Sequence, residues 1–300
     1  MILEQRVSFV RVFAAGPEGG NPAPIVLDAT GMSDAEMQDV ARSYGHESGF
    51  VLPPPAGSDC DFEFRFWVPN HEMSMCGHAT VGAVWLLEQL GRISGDHLAI
   101  VTKSGRVEAR IHRSAGQAAV VEVSQPAGVV EPIPNPAETK EAILDVLGIR
   151  SGDLTDFPIQ NARTSRVKTL VPLKNVSILD GLRPDFGRME QLCTSIDSTG
   201  LYPYAVHDRE KQIIDARQFP QSSGYPEDAA TGIAAAALSF GLLKNGIVEA
   251  SERPIAIRQG RAMNHPSEIG VRFNLEDGRV NGCWLSGVVQ PTICDIRRNA

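Results

Sequence analysis

The stretch Arg65-Phe66-Trp67-Val68-Pro69, followed by Met75-Cys76-Gly77-His78-Ala79-Thr80-Val81-Gly82, decides how this chain is read. About 150 residues later comes Arg217-Gln218-Phe219-Pro220, then Pro226-Glu227-Asp228-Ala229-Ala230-Thr231-Gly232. Arg65 precedes Cys76 by eleven positions and Arg217 precedes Asp228 by the same eleven. Each segment runs from an aromatic, strand-like stretch through a turn into a helix of small residues. A 300-residue chain whose halves share this plan reads as two duplicated lobes facing each other across a cleft, with chance similarity as the competing reading. In the duplicated reading, Cys76/His78 and Asp228 occupy equivalent helix starts and look at one small molecule.

Working outward, Phe62, Phe64, Phe66 and Val68 alternate with Asp61, Glu63, Arg65 and Trp67, the period of a half-buried strand. Ala79–Leu90 then has almost no polar face, which predicts a helix wrapped by sheet. Ala230–Leu243, with Ala234-Ala235-Ala236-Ala237, predicts its counterpart. Upstream, Val7–Ala14 and Pro24–Leu27 read as strands. Ser33 and Glu36 form a capping box, and Met37, Val40, Ala41 and Tyr44 follow at helical spacing before Gly45. His46-Glu47-Ser48-Gly49 then leads into the strand Phe50-Val51-Leu52.

Further on, Ile100–Val123 predicts strands broken at Ser104-Gly105 and near Gly116. The proline-rich Val129–Glu138 reads as the linker. After it come helices near Thr139–Leu147 and Asp185–Ile196, strands at Tyr202–Val206 and Ile213–Phe219, and a hairpin turning at Asp277-Gly278. The expected fold class is α/β (α+β) in two pseudosymmetric lobes, 1–128 and 129–300, each a curled, mostly antiparallel sheet around a central helix. The last strands are expected to pack back on the first lobe.

Composition narrows the function classes. The chain is 42% hydrophobic and 21% charged, with a net charge of −8 and no basic cluster, so no nucleic-acid or membrane partner is expected. Met1–Arg6 does not resemble a signal peptide. The five cysteines (Cys60, Cys76, Cys193, Cys283 and Cys294) show no C-x-x-C spacing, which suits free thiols in a reducing cytoplasm. Phosphate-binding glycine loops, H-E-x-x-H and G-x-S-x-G are absent, and Cys76-x-His78 is the wrong spacing for a structural zinc pair. No metal and no cofactor are expected. What remains is acid–base chemistry by side chains.

Glu47 is the candidate general base, because a carboxylate taken partly out of water is a better proton shuttle. The competing reading is a solvated loop glutamate. His78 lies at a helix start, where free N–H groups suit a substrate carboxylate and keep an imidazole neutral; capping its own helix is the alternative. Asp228 is read in the same way, with N-capping as its structural alternative. Cys76 is read as a small buried hydrophobe.

Four segments together resemble the PhzF-like family, named for the phenazine biosynthesis isomerase and built on the diaminopimelate epimerase fold. They are Gly20-Asn21-Pro22-Ala23, Glu47-Ser48-Gly49-Phe50-Val51, Cys76-Gly77-His78-Ala79-Thr80 and Glu227-Asp228-Ala229-Ala230-Thr231-Gly232. Gln259-Gly260 with Pro266-Ser267 is a weaker fifth match. The resemblance implies catalysis without metal or organic cofactor, with Glu47 moving a proton between carbons and His78 and Asp228 assisting. It implies substrate contacts at Asn21, Gly77, Ala79, Thr231 and Gly232.

The chain departs from the family pattern at His46 for Ser, Ala229 for Pro, Ile233 for Ser, and Asn264-His265 for Gly-Arg. These departures make the phenazine substrate itself doubtful. The resulting expectation is a cytoplasmic isomerase acting on a small-molecule carboxylate, with a homodimer left open. The rival readings are an amino-acid epimerase or racemase, a lyase or hydrolase, and a non-catalytic binding module.

Overall fold

The alternation at Phe62–Val68 folds as strand β4 (Phe62–Trp67), with Phe64 and Phe66 buried and Glu63 and Arg65 half-exposed on the other side. The computed structural model describes residues 7–292, which divide into two units. Met1–Arg6 and Cys294 lie outside the described residues. The first unit takes 7–14, 20–123 and 287–292, and the second takes 15–19 and 124–286.

In the first unit the order is β1 (Val7–Val12), β2 (Asn21–Val26), α1 (Asp34–Tyr44), β3 (Ser48–Leu52), β4, β5 (Glu72–Met73), α2 (Gly77–Gln89), β6 (His97–Thr102), β7 (Gly105–His112) and β8 (Val120–Pro126). The sheet runs β1–β2 antiparallel, β2–β3 parallel, β3–β4 antiparallel, β4–β6 parallel, then β6–β7 and β7–β8 antiparallel. Each parallel step needs a crossover, and α1 and α2 supply them. The final strand β18 (Val289–Pro291) pairs with β1, Val10 opposite Pro291.

The second unit repeats that sequence of steps. It contains β9 (Val129–Pro132), α3 (Pro136–Leu147), β10 (Gln160–Arg163), β11 (Val167–Leu173), α4 (Val176–Gly181), α5 (Phe186–Ser195), β12 (Gly200–Asp208), β13 (Ile213–Ala216) and β14 (Phe219–Pro220). These are followed by α6 (Gly232–Lys244), β15 (Ile255–Gln259), β16 (Ser267–Glu276) and β17 (Arg279–Ser286). β10–β11 is antiparallel, β11–β12 parallel, β12–β13 antiparallel, β13–β15 parallel, and β15–β16 and β16–β17 antiparallel. The matching order of six pairings, with α2 and α6 at the same step, is the duplication expected from the two arginine-led segments.

Each central helix is enclosed over most of its length because it carries no polar face until its last turn. Gly77–Trp85 of α2 and Gly232–Leu242 of α6 are buried throughout. α2 packs on β1, β2 and β3, and α6 on β9, β10, β11, β16 and β17. The contact is close enough that a Cβ on Gly241 would lie 2.3 Å from Leu170 Cδ1. The other helices cover the outer faces. Met37, Val40 and Ala41 of α1 pack with Val26, Phe50 and Trp67, while α3, α4 and α5 close over Val171, Leu173, Leu201 and Phe219.

Three boundaries differ from those the sequence suggested. Val129–Glu138 is not a linker but strand β9 and the first turn of α3, and the division falls inside β8, between 123 and 124. β9 was hidden because it is a largely exposed four-residue strand, so Glu131 and Pro132 meet no core. Residues 15–19 belong with the second unit, where Ala15 N–H donates to the Pro266 carbonyl at 3.0 Å. Among the described residues, no helix is long and apolar enough to cross a membrane.

Candidate functional site

Glu47 is placed by punctuation on both sides. Gly45 ends α1 in the left-handed conformation (φ 67°), and the Ser48 hydroxyl donates to the His46 carbonyl at 3.1 Å. β3 then starts, and Gly49 lies so near α2 that a Cβ there would sit 3.4 Å from the Ala79 Cβ. This close approach brings the loop carrying Glu47 onto the start of α2.

There, Cys76 is the N-cap and His78 the second residue of α2. The Thr80 hydroxyl donates back to the Cys76 carbonyl at 2.7 Å and holds the cap in place. The Cys76 thiol donates to Glu47 Oε2 at 3.2 Å. Its sulfur lies 3.4 Å from His78 Nδ1 and 4.0 Å from Nε2, beside the ring. His78 Nδ1 is 3.4 Å from Glu47 Oε2. Cys76 and His78 are each 3% exposed, and the Glu47 side chain is 14% exposed.

Burial lowers the His78 pKa. The neighbouring Glu47 charge and a hydrogen bond to the Pro22 backbone oppose that shift without reversing it. His78 is therefore a neutral imidazole that donates one N–H to the Pro22 carbonyl. Asn21, next to Pro22, starts β2 and is 7% exposed. Asn21, Glu47, Gly77, His78 and Ala79 are thus brought together within the first unit. Cys76 is more than packing material, since its thiol is the link between Glu47 and His78. The spacing Cys76-x-His78 gives no hint of this, because the third member lies 29 positions upstream.

Asp228, Thr231 and Gly232 cluster in the second unit, with a correction to the expected alignment. The N-cap of α6 is Thr231, not Asp228. Thr231 (φ −118°, ψ 92°) has nearly the backbone of Cys76 (φ −138°, ψ 106°), and the i+4 amides of Thr80 and Ala235 bond to the two caps alike. Thr231 is therefore the counterpart of Cys76, and Ile233 the counterpart of His78. The turn after the arginine strand is three residues longer in the second half, so equal spacing from Arg217 to Asp228 aligned different structural positions. Asp228 sits in that turn, its N–H donating to the Gln218 carbonyl at 3.1 Å.

A buried network holds Asp228. The Thr231 hydroxyl donates to Asp228 Oδ2 in a short bond. Gln259 Nε2 donates to the Asp228 carbonyl at 2.7 Å and to Thr231 Oγ1 at 3.2 Å. Gln259 Oε1 accepts from the Tyr202 hydroxyl at 2.9 Å. Burial pushes the Tyr202 phenol well above its usual range, with the Asp228 charge adding to the shift, so Tyr202 stays a donor. The Gln259-Gly260 match pointed to this position; nothing in the sequence pointed to Tyr202.

The repeated arginines brace these turns. Arg65 pairs with Glu72 at 2.7 Å and with Asp34 of α1 at 2.8 Å. Arg217 makes a two-pronged pair with Glu227 (2.8 and 2.7 Å) and donates to the Leu179 and Leu182 carbonyls near the end of α4. Each arginine also lies over an aromatic ring, Trp67 or Phe219.

Two family departures have a structural reading. Asn264 adopts φ 60°, ψ 23°, the left-handed region that favours glycine and that asparagine tolerates best among side-chain-bearing residues. His265 Nδ1 donates to the Glu18 carbonyl at 3.0 Å, keeping an N–H donor where arginine is usual. Asn264 also lines a cavity of about 470 Å³ with Gly16, Pro17, Arg261 and Pro266.

Comparison with known proteins identifies the family and the fold. The family model described as "Phenazine biosynthesis-like protein" (PhzC-PhzF) matches residues 10–287. The chain is 28% identical to the uncharacterized isomerase YddE of Escherichia coli K12, with 95% of each chain covered. It is 30% identical to the trans-2,3-dihydro-3-hydroxyanthranilate isomerase of Pseudomonas aeruginosa, with 94% of this chain and 95% of that one covered. The solved phenazine biosynthesis protein of the PhzF family from Bacillus anthracis superposes with a TM-score of 0.82 at 26% identity, covering 94% and 95% of the two chains.

Proposed function

Because the chain belongs to the phenazine biosynthesis-like (PhzC-PhzF) family, we propose that it is an isomerase that moves a proton between carbons of a small, unsaturated carboxylate. The observation that carries this reading is the Glu47–Cys76–His78 triangle. It holds a half-buried carboxylate, a thiol donating to it and a neutral imidazole within 3.4 Å of one another. Glu47 takes a proton from one carbon. The electron pair of that C–H bond spreads over the unsaturated system, and the same carboxyl returns the proton to another carbon. No oxidant, reductant or external nucleophile is consumed. With its one N–H held by the Pro22 carbonyl, a neutral His78 offers its other nitrogen as a proton acceptor, which suits it to relaying a proton, and the α2 N-terminus beside it favours negative charge.

Asp228 is assigned the assisting acid–base role, oriented by Thr231 and Gln259. Ile233 is 6% exposed and stands where the phenazine enzyme carries a hydroxyl, so the substrate is expected to present apolar surface there. A substrate other than the dihydro-hydroxyanthranilate of the Pseudomonas relative follows from that change. The epimerase reading needs a thiol from each half, and the N-cap matching Cys76 is Thr231, which argues against it.

The test is a panel of cyclic and acyclic unsaturated carboxylates, including trans-2,3-dihydro-3-hydroxyanthranilate, followed by proton NMR. Migration of a double bond without change of mass is expected for at least one member. Inversion at a stereocentre with the double bonds unmoved, or loss of water, would replace the isomerase reading with the epimerase or lyase one.

A further inference from the structure

Three different donor types meet at the start of α2: the carboxylate of Glu47, the thiol of Cys76 and the imidazole of His78. Their ligand atoms lie 3.2, 3.4 and 3.4 Å apart. Zinc–ligand bonds of about 2.0–2.3 Å arranged tetrahedrally place neighbouring ligand atoms about 3.3–3.6 Å apart. The three side chains therefore already stand close to one face of a zinc tetrahedron. Among the described residues, they are the one group of three or more such side chains gathered closely enough to hold an ion.

The surroundings also suit a metal. The His78 ring is hydrogen-bonded to the Pro22 backbone, the kind of outer contact that orients a metal-bound imidazole. Thr80 holds the Cys76 backbone.

We propose that Glu47, Cys76 and His78 form a three-ligand site for a single borderline-soft divalent cation of the zinc type, with the fourth position left to water. On binding, the metal–sulfur bond forms as the thiol proton passes to solvent. The mixed set selects zinc or cobalt over magnesium or calcium, which prefer oxygen donors throughout. The consequence for catalysis rests on the proton-transfer reading above: a carboxylate tied to a metal no longer carries a proton, so the cation is an inhibitor and not a cofactor.

The test is cobalt titration of the metal-free, reduced protein, which needs no substrate. One equivalent of Co²⁺ should produce a saturable thiolate-to-cobalt charge-transfer band in the near ultraviolet. Zinc should displace it. Cys76→Ser should abolish the band while the variant still melts cooperatively, and His78→Ala or Glu47→Gln should weaken binding at least tenfold. A wild-type protein without the band, or an equal band in Cys76→Ser, would overturn the site. With a substrate in hand, equimolar zinc should suppress turnover and a chelator should restore it. Full turnover with the band developed would leave the metal site standing and refute Glu47 as the proton carrier.

Discussion

Cys76→Ala separates a single-carboxylate mechanism from a two-thiol one. The thiol is 3% exposed and donates to Glu47 at 3.2 Å. Removing a buried sulfur costs about 1 kcal/mol by comparison with small core truncations. Losing a bond to a charged acceptor adds about 1 kcal/mol, less than the usual range of about 1.5–3 kcal/mol for such bonds because S–H is a weak donor. The total of about 2 kcal/mol corresponds to a fall in Tm of about 4–8 °C for a cooperative unit of this size. Glu47 and His78 remain 3.4 Å apart, so the proton carrier survives. Turnover at a permissive temperature should therefore drop by no more than about tenfold, equivalent to about 1.4 kcal/mol. Calorimetry and NMR turnover assays measure both numbers. A folded Cys76→Ala protein that has lost its activity a thousandfold or more would refute the single-carboxylate reasoning and put the epimerase reading first.

Other outcomes follow from the same geometry. Arg217→Met leaves the nearly buried Glu227 without its two-pronged partner and should cost about 3–5 kcal/mol in urea unfolding; a loss under 1 kcal/mol would mean the pair braces nothing. Gly260→Ala combines a positive φ of 79° with a Cβ 2.2 Å from the His265 carbonyl oxygen and 2.7 Å from that of Ala229. Both obstacles are backbone, so a cost of about 2–5 kcal/mol is expected, and an unchanged melting curve would contradict it. His78 has a lowered pKa when folded, so the unfolded chain binds its proton first as pH falls. Its stability contribution is complete above the unfolded value of about 6.5 and is lost as pH falls through that value toward the folded one. The loss between pH 7.5 and 5 should be smaller in His78→Gln than in wild type, and an equal loss would show that His78 is not buried neutral.

Legibility in the sequence tracked the range of the interactions. Local signals read directly: the Ser33–Glu36 capping box is formed, and Asp277 and Gly278 both take positive φ in the expected hairpin turn. The duplicated arginines announced two like lobes, and both are braced in corresponding turns. The register between the halves was not legible, because the second turn carries three extra residues and Asp228 could stand in for a cap. The polar role of Cys76 was also hidden. Its partner Glu47 is remote in sequence, and only the close packing of Gly49 on Ala79 brings them together. The Tyr202–Gln259–Asp228 network was invisible for the same reason, its members coming from separate strands and a turn.

The central claim is that the Glu47 carboxyl carries the proton, and Glu47→Gln tests it most directly. Glutamine keeps the shape and can still accept from the Cys76 thiol, but it cannot take up a proton. With the substrate identified by the NMR panel, the variant should melt within a few degrees of wild type and lose about 10²–10⁴-fold in turnover. A well-folded Glu47→Gln protein that isomerises the same substrate at a near wild-type rate would contradict the account.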